Sequence, residues 1–244
     1  MVLTIKDVEY PFRWCPPGRF MMGSSASEEE RRNNETQHEV TLTRGFWLLE
    51  TPVTQAMWEG VMGNNPSRFT DSHRLPVEQV PWEDCWLYIE KLNALKLAPT
   101  GFRFSLPTEA QWEYACRAGA TTPFHFGSTL NGDKANCDGI YPYGTQAKGK
   151  NLGKTSVAGS YPANAWGLYD MHGNVLEWCS DWYGDYPSGS VTDPVGTSTG
   201  SYRVLRGGGW YYCARYCRSA YRYFYDPSSR YYYIGLRLSL VREE

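Results

Sequence analysis

The sequence predicts one α+β domain over residues 1–244, with few short helices and strands and much irregular structure. Short β-type runs and three short amphipathic helix patterns are spread along the chain, and long stretches rich in Gly, Asn, Thr and Pro separate them. The chain has no internal repeat and no linker of low complexity that would divide it. At this length a single domain can bury a sizeable core.

The N-terminal part predicts strands around a charged loop. The β-type runs lie at Phe20–Gly23, Val40–Leu42 and Gly45–Leu49. Between the first two lies the polar segment Ser24–Gln37, which carries a dense cluster of charges. We interpret this cluster as a solvated loop.

Two helices are predicted next. Thr54 can cap a helix over residues 55–62, which Gly63 can end. Pro81, a residue favoured at helix starts, opens a second helix. Its apolar residues recur every three or four positions and should pack on a core: Trp82, Cys85, Trp86, Ile89 and Leu92.

A third helix is predicted to begin at a capping box formed by Thr108 and Gln111, and to stop at Gly119. Residues 120–165 show little periodicity and predict a loop. Short β-type runs return after Gly167. The C-terminal part of the chain therefore predicts strands and turns without a further helix.

Charge and hydropathy exclude two classes of protein. The chain has 24 basic and 26 acidic side chains, a net charge of -2, which provides no field for steering nucleic acid or anionic membranes. Its apolar runs are far shorter than the ~20 residues of a bilayer span. We therefore expect no nucleic-acid partner and no transmembrane segment. No secretory signal is visible at the start, and the compartment stays open.

Cysteines and histidines give no metal-site pattern of their own. The seven cysteines lack the regular short spacings of a disulfide scaffold or a zinc ribbon. The four histidines are scattered, so zinc-dependent hydrolysis has no support. Most of the cysteines are expected to be reduced or buried thiols.

The distribution of tyrosine is the main functional clue. Residues 202–233 hold 10 of the 19 tyrosines, and this segment contains no Lys, Glu, Gln or Met. Tyr and Phe give large rigid contact areas at low entropic cost, which is why binding loops are rich in them. Since side chains alternate along an extended segment, three adjacent tyrosines cannot all face one core.

Seven blocks of sequence follow one another over nearly the whole chain. They are Met22–Ser24; Thr51–Thr54 with Trp58; Pro76–Val77 with Trp82–Asp84; Leu106–Ala115; Gly167–Trp178; Arg206–Gly208; and Gly235–Arg237. In this order they resemble the formylglycine-generating-enzyme (sulfatase-modifying factor) family. The resemblance implies a C-type lectin-like fold of that type. Activity needs a separate argument, because one fold hosts many functions.

For an enzyme, the resemblance implies copper-dependent oxidation of a substrate cysteine to formylglycine, with two C-terminal cysteines holding the metal. Aligned on Gly207 and Gly208, the second family cysteine falls on Cys217, whereas the first falls on Tyr212, one residue before Cys213. A slip of one residue in an extended segment turns a side chain to the opposite face. We therefore expect no catalytic residue and no bound copper.

The resemblance also implies a structural calcium site. Its ligands would be the side chains of Asp170 and Glu177 and the backbone carbonyls of Gly173 and Val175, an all-oxygen set that suits a hard cation. The alternative is that the two carboxylates satisfy buried backbone amides without metal. A second calcium site of the family matches poorly, because only Asn136 is retained.

Between Gly207 and Arg237, the family's ordinary form is similar to fixed residues separated by asparagines. The fixed residues, here called the frame residues, are Trp210, Ala214-Arg215, Cys217–Arg222, Pro227, Arg230 and Ile234-Gly235. The positions where asparagine or the usual Ser has been replaced are here called the substituted positions. They are Gly209, in place of the usual Ser, and Tyr211, Tyr212, Cys213, Tyr216, Tyr223, Phe224, Tyr225, Asp226, Ser229, Tyr231, Tyr232 and Tyr233.

One genetic mechanism fits the substituted positions. Randomising the adenines of the Asn codon AAC gives Tyr, Cys, Phe, Asp, Ser and Gly, but never Lys, Glu, Gln, Met or Trp. The segment thus resembles the variable proteins of diversity-generating retroelements, of the subclass built on this version of the C-type lectin fold. The resemblance implies a variable binding segment, 209–233, on a fixed scaffold that is exported or displayed at the cell surface.

Three hypotheses follow. The first is a non-enzymatic monomer that binds an unknown ligand, a protein or other cell-surface macromolecule, through residues 209–233. The second is the copper-dependent oxidase, and the third is a scaffold component whose tyrosines bury a subunit interface. Selection of a randomised surface leaves no signature of the ligand in the sequence.

Overall fold

The computed structural model describes residues 1–243. In chain order their elements are β1 (Val2–Ile5), β2 (Val8–Cys15), β3 (Gly18–Met22), β4 (His38–Leu42), β5 (Phe46–Leu49), α1 (Gln55–Met62), α2 (Trp82–Ala94), β6 (Phe102–Ser105), α3 (Glu109–Arg117), β7 (Leu176–Trp182), β8 (Val191–Thr192), β9 (Arg203–Arg206), a 3-10 turn (Ala214–Cys217), β10 (Tyr223–Tyr225), β11 (Ile234–Leu236) and β12 (Ser239–Arg242). The architecture is α+β with long irregular connections, as expected.

Three sheets organise the described residues. The largest has the strand order β1-β2-β5-β12-β6, and a second has the order β10-β9-β7-β11. A small sheet, β3-β4-β8, covers one side. Strand β12 pairs antiparallel with both β5 and β6, so the end of the chain closes the sheet that its beginning opens. Strand β10, which carries three substituted positions, is an edge strand.

The three predicted helices are confirmed. Helix α1 runs over Gln55–Met62, with Thr54 at its N-cap and Gly63 in a left-handed conformation at its end. Helix α3 begins at the predicted capping box but turns left-handed already at Ala118, one residue before Gly119. Helix α2 follows Pro81, yet its buried face is centred on Cys85, Tyr88, Ile89 and Leu92, whereas Trp82 and Trp86 are only half-buried.

The core joins elements that are distant in sequence. Its largest cluster packs α1 and α2 against the five-stranded sheet and against Trp178, Leu205 and Leu236 of the second sheet. Residues 120–165 contain no helix or strand, as predicted, but contribute the smaller cluster around Phe124, Cys137 and Cys217. The assignment of residues 1–244 to one domain stays a prediction.

None of the helices between residues 1 and 243 has the length and apolar character that crossing a bilayer requires.

Candidate ligand-binding surface

Burial separates the frame residues from the substituted positions. Most frame residues are buried: Trp210, Ala214, Cys217–Arg222, Ile234 and Gly235. Eleven of the thirteen substituted positions are exposed or half-buried. Tyr211, Phe224 and Tyr231 are the most exposed of the aromatic ones, at 55%, 37% and 38%. We call these eleven positions together the tyrosine-rich surface; they are Tyr211, Tyr212, Cys213, Tyr216, Tyr223, Phe224, Tyr225, Asp226, Ser229, Tyr231 and Tyr232.

Gly209 and Tyr233 differ from the expected exposure. Tyr233 is 8% exposed, because other tyrosine rings cover its ring and its carbonyl accepts a hydrogen bond from Leu176 N at 2.8 Å. Gly209 is buried against the backbone of residues 174–176. A ligand could touch them only after their neighbours moved, so they support the surface from below.

The aromatic rings form a connected network. Tyr225 packs on Tyr231 at 4.9 Å, and Tyr212 meets Tyr216, Tyr223 and the buried Tyr233 at 5.4–6.0 Å between ring centroids. The Tyr225 and Tyr233 hydroxyls lie 3.2 Å apart, within hydrogen-bonding distance. Desolvation raises the pKa of Tyr223 to about 12 and also raises that of Tyr225. These phenols therefore stay neutral at physiological pH.

Tyr232 meets its neighbour Tyr233 only edge-on, at 5.4 Å, and has its main contacts elsewhere. Its ring stacks on Trp210 at 5.6 Å and meets the edge of Phe69 at 6.5 Å. The Trp210 indole N–H donates to the Tyr232 carbonyl at 3.1 Å. One side of the surface is therefore completed by residues 68–69.

Phe224 extends the surface toward a different loop. Its ring packs against Tyr183 at 4.2 Å and against Tyr202 at 5.1 Å. Neither tyrosine belongs to the segment 209–233, and no local sequence signal joins them to it. Sequence reasoning counted Tyr202 in the tyrosine-rich stretch but left it outside the binding segment, and it missed Tyr183, Phe69 and two arginines described below.

Three buried arginines anchor the segment that carries the tyrosines. Arg206 donates to the carbonyls of Ser219, Ala220 and Tyr221 and pairs with Glu113. Arg206 belongs to strand β9, so these hydrogen bonds attach the backbone between the 3-10 turn and β10 to that strand. The arrangement fixes the course of the segment without using a substituted side chain.

Arg218 and Arg222 join the same segment to distant acids. Arg218 pairs with both oxygens of Glu35 at 2.8 and 2.9 Å and with Glu28 at 2.5 Å. Arg222 pairs with both oxygens of Glu109 at 2.6 and 2.8 Å. Such bidentate charged contacts are among the strongest in proteins. The segment Ser24–Gln37 is thus partly a buried partner of the frame, which differs from the solvated loop expected for it.

The two C-terminal cysteines differ in burial, and the absence of copper from them stays a prediction. Cys217 is fully buried, and its contact with the Cys137 thiol, together with burial, raises its pKa well above the usual value. Cys213 is half-exposed, and burial raises its pKa as well. Both side chains are therefore protonated thiols in the metal-free protein, and copper would have to displace these protons to bind there.

The four predicted calcium ligands lie in one loop and in the strand that follows it. The carboxylate of Glu177, however, already accepts hydrogen bonds from two side chains. Its carboxylate accepts from the Arg237 guanidinium at 2.7–3.1 Å and from the Trp112 indole N–H at 2.7 Å. Those four contacts fill its acceptor sites. In this conformation Glu177 does not fit the role of a calcium ligand.

The carboxylate of Asp170 accepts fewer hydrogen bonds than that of Glu177. One carboxylate oxygen accepts from Gly159 N at 2.7 Å, and burial raises its pKa to about 6. Nearby, the side-chain oxygen of Asn136 is buried without a partner. The calcium site at Asp170, Gly173, Val175 and Glu177 stays a prediction, and Glu177 would have to release Arg237 to join it. Within residues 1–243, no group of three or more His, Cys, Asp or Glu side chains is arranged to hold a metal.

Comparison with known proteins identifies the family. The sulfatase-modifying factor enzyme 1-like domain model matches residues 12–243. The formylglycine-generating enzyme of Streptomyces coelicolor is 38% identical over 76% of this chain, and that of Mus musculus is 33% identical over 82%. The chain spans 58% and 52% of the length of these two relatives.

Solved structures agree with the sequence match. Treponema denticola variable protein 1 superposes with a TM-score of 0.86 and 28% identity, covering 98% of both chains. PvdO from Pseudomonas aeruginosa gives 0.80 and 28%, covering 98% of this chain and 97% of its own. The chain belongs to the sulfatase-modifying factor family and has the C-type lectin-like fold of the formylglycine-generating-enzyme type. Within that family it resembles both named enzymes and a variable protein.

Proposed function

We propose that this protein is a non-enzymatic binding protein, exported or displayed at the cell surface, whose tyrosine-rich surface is diversified by a retroelement and binds a macromolecular ligand. The observation that carries the proposal is the separation described above, in which frame side chains are buried and substituted ones face outward. A scaffold built in this way tolerates replacement of most of its binding side chains, because its ion pairs use none of them and only Gly209 and Tyr233 of the thirteen are buried. The similarity to a variable protein supports the same function.

Chemistry supports a binding role for this surface. Tyrosine is enriched at binding hot spots, and its flat ring with a hydroxyl tip contacts both apolar and polar partners. Contiguous exposed aromatic rings usually mark an interaction site. The ring network also restrains the side chains before binding, which lowers the entropy lost in a complex.

The test is a pair of libraries. One randomises the exposed positions Tyr211, Tyr216, Phe224, Tyr231 and Tyr232, and the other randomises the buried frame positions Trp210, Arg218, Ala220, Tyr221 and Ile234. Most members of the first library should fold, and selection against hen lysozyme as a test target should give specific binders. Most members of the second should unfold. A first library that unfolds, or that yields no binder, contradicts the proposal.

The similarity to formylglycine-generating enzymes favours the oxidase as a second candidate. The separation of Cys213 and Cys217 by three residues, and the burial of Cys217 beside Cys137, oppose it. Measurements of copper binding and of peptide oxidation distinguish the two functions.

A further inference from the structure

The geometry points to a protein partner with carboxylates on its contact surface, bound by Arg32 and Arg68 at two ends of the tyrosine-rich surface. This inference rests on the proposed function and names the chemistry of the ligand. The observations that carry it are the positions of these two arginines and the absence of any acid paired with them.

Arg32 lies beside the Tyr216 end of the surface. Its guanidinium carbon is 5.3 Å from the ring centroid of Tyr216 and 5.1 Å from that of Tyr221. The side chain is exposed. A guanidinium stacked on aromatic rings keeps its N–H donors free at the edge, where a carboxylate can accept from two of them.

Arg68 lies at the Tyr232 end. Its guanidinium carbon is 4.8 Å from the Tyr232 centroid and 5.7 Å from that of Phe69, and this side chain is also exposed. Contacts of Tyr216 with Tyr212, of Tyr212 with Tyr233, and of Tyr233 with Tyr232 connect the two ends at 5.4–5.8 Å per step. Two cations therefore flank a row of neutral rings.

Other arginines near the surface are already paired. Arg215 contacts Glu30 at 3.1 Å, and Arg230 contacts Asp84 at 3.1 Å. Among residues 1–243, by contrast, no carboxylate oxygen lies within 4.0 Å of the guanidinium nitrogens of Arg32 or Arg68. Asp226 is the one acid among the substituted positions, and it accepts from the backbone and hydroxyl of its own neighbour Ser228.

Two separated cations favour an acidic protein over a polyanion. Nucleic acids and sulfated polysaccharides carry charge at short regular intervals, and they bind continuous basic tracks. Here neutral rings fill the space between the arginines. Such rings match a protein surface with apolar or aromatic side chains at its centre and acidic side chains at its edge.

A displayed library of random peptides provides the probe. Selection is run in parallel on the wild type, on Arg32→Gln/Arg68→Gln, and on the matched control Arg215→Gln/Arg230→Gln, which changes the paired arginines. Peptides selected on the wild type should be enriched about threefold in Asp and Glu over the starting library. On Arg32→Gln/Arg68→Gln the enrichment should disappear.

Affinities of the best wild-type peptide complete the test. The Arg32→Gln/Arg68→Gln change should weaken binding about 10-fold, and the control change less than about twofold. Raising the salt concentration should weaken binding to the wild type more than to Arg32→Gln/Arg68→Gln. Heparin serves as the polyanion arm and should not compete.

The possible results distinguish failure of the acidic-partner inference from failure of the proposed binding function. Peptides that need the tyrosines but show no acidic enrichment overturn the inference and leave the proposed function intact. Heparin binding in place of peptide binding also overturns it. Peptides that bind equally well to Tyr211→Ser/Tyr231→Ser show that the surface is not the binding site, which contradicts the proposed function itself.

Discussion

Tyr231 stacks on Tyr233 with their ring planes 4° apart and their centroids 5.2 Å apart. The ring of Tyr211 stacks on Tyr233 as well, at 5.5 Å and 11°. Tyr233 is therefore the middle ring of a column of three, of which the outer two are exposed. One of the substituted positions thus serves packing, while the rings on either side of it remain exposed.

Truncations within this column should differ in their effect on stability. Tyr233→Ala removes a buried ring, and Trp210→Ala removes a buried indole, so each should lower the free energy of unfolding by ~3–5 kcal/mol. Tyr231→Ala and Phe224→Ala remove exposed rings and should cost no more than ~0.5–1 kcal/mol. Chemical denaturation of the four variants measures this. Equal losses in all four would mean that the aromatic segment is core.

Calcium, if bound, should depend on Asp170 and serve structure. Asp170→Asn keeps an acceptor for Gly159 N but removes the charge that a hard cation prefers. Calcium should raise the melting temperature of the wild type over that measured in EDTA, and the variant should lack this rise. If the wild type melts at the same temperature in both buffers, the loop is held by hydrogen bonds alone.

Glu78 should make stability depend on pH. Its carboxylate is fully buried, one oxygen accepts from the backbone N–H groups of Arg68 and Phe69, and the other has no partner. Burial raises its pKa from 4.5 to about 7. The folded protein therefore holds the proton more tightly than the unfolded chain, so this contribution is complete below pH 4.5 and is lost as pH rises toward 7.

Glu78→Gln should remove that dependence, because the amide does not titrate. Relative to wild type, the variant should gain ~2 kcal/mol of stability between pH 5 and pH 8. Denaturation at both values measures the difference between the two proteins, which cancels the titration of other buried acids. A difference that is constant with pH would contradict the assignment.

Copper should not bind tightly, and a peptide containing cysteine should not be converted to formylglycine. The reason is that Cys217 is a buried thiol next to Cys137 and that the spacing of Cys213 and Cys217 differs by one residue from that of the family's copper pair. Metal analysis after copper loading and mass spectrometry of the peptide provide the measurements, with Cys217→Ser as the matched control. Turnover above the control would establish the oxidase function.

The tyrosine-rich surface should not mediate self-association, and the protein should remain monomeric over the micromolar range. Its rings already contact one another, and Arg32 and Arg68 at its two ends would repel a second copy related by symmetry. Light scattering measures the mass. A dimer that Tyr231→Ser dissociates would instead support a subunit interface.

Local signals allowed the helices to be predicted closely. Thr54 and Gly63 bracket α1, and the Thr108–Gln111 capping box starts α3, because caps act on backbone groups only a few residues away. The expectation that Tyr231, Tyr232 and Tyr233 do not all face one core also came from the alternation of side chains along the chain, and Tyr231 is exposed whereas Tyr233 is buried. Both features depend on neighbours in sequence, where the chain itself fixes the distances.

Contacts between distant segments could not be predicted in this way. Nothing in the local sequence indicates that Glu35 is buried against Arg218, or that β12 lies between β5 and β6. The burial of Tyr233 likewise depends on stacking with Tyr211, which lies near the opposite end of the segment 209–233. These contacts form only when the whole chain has folded.

The ion pairs of Arg218 also constrain when the protein can fold. They join residues 183 positions apart in sequence, and strand β12 pairs Leu240 with Trp47 of β5. Proteins dominated by such long-range contacts fold slowly. The domain therefore cannot finish folding before residues 202–242 have been made, and this part of the sequence holds 10 of the 19 tyrosines. Most of the substituted side chains face solvent in the folded protein and take no part in these long-range contacts. Changing them should therefore leave the slow step of folding much the same from one variant to the next.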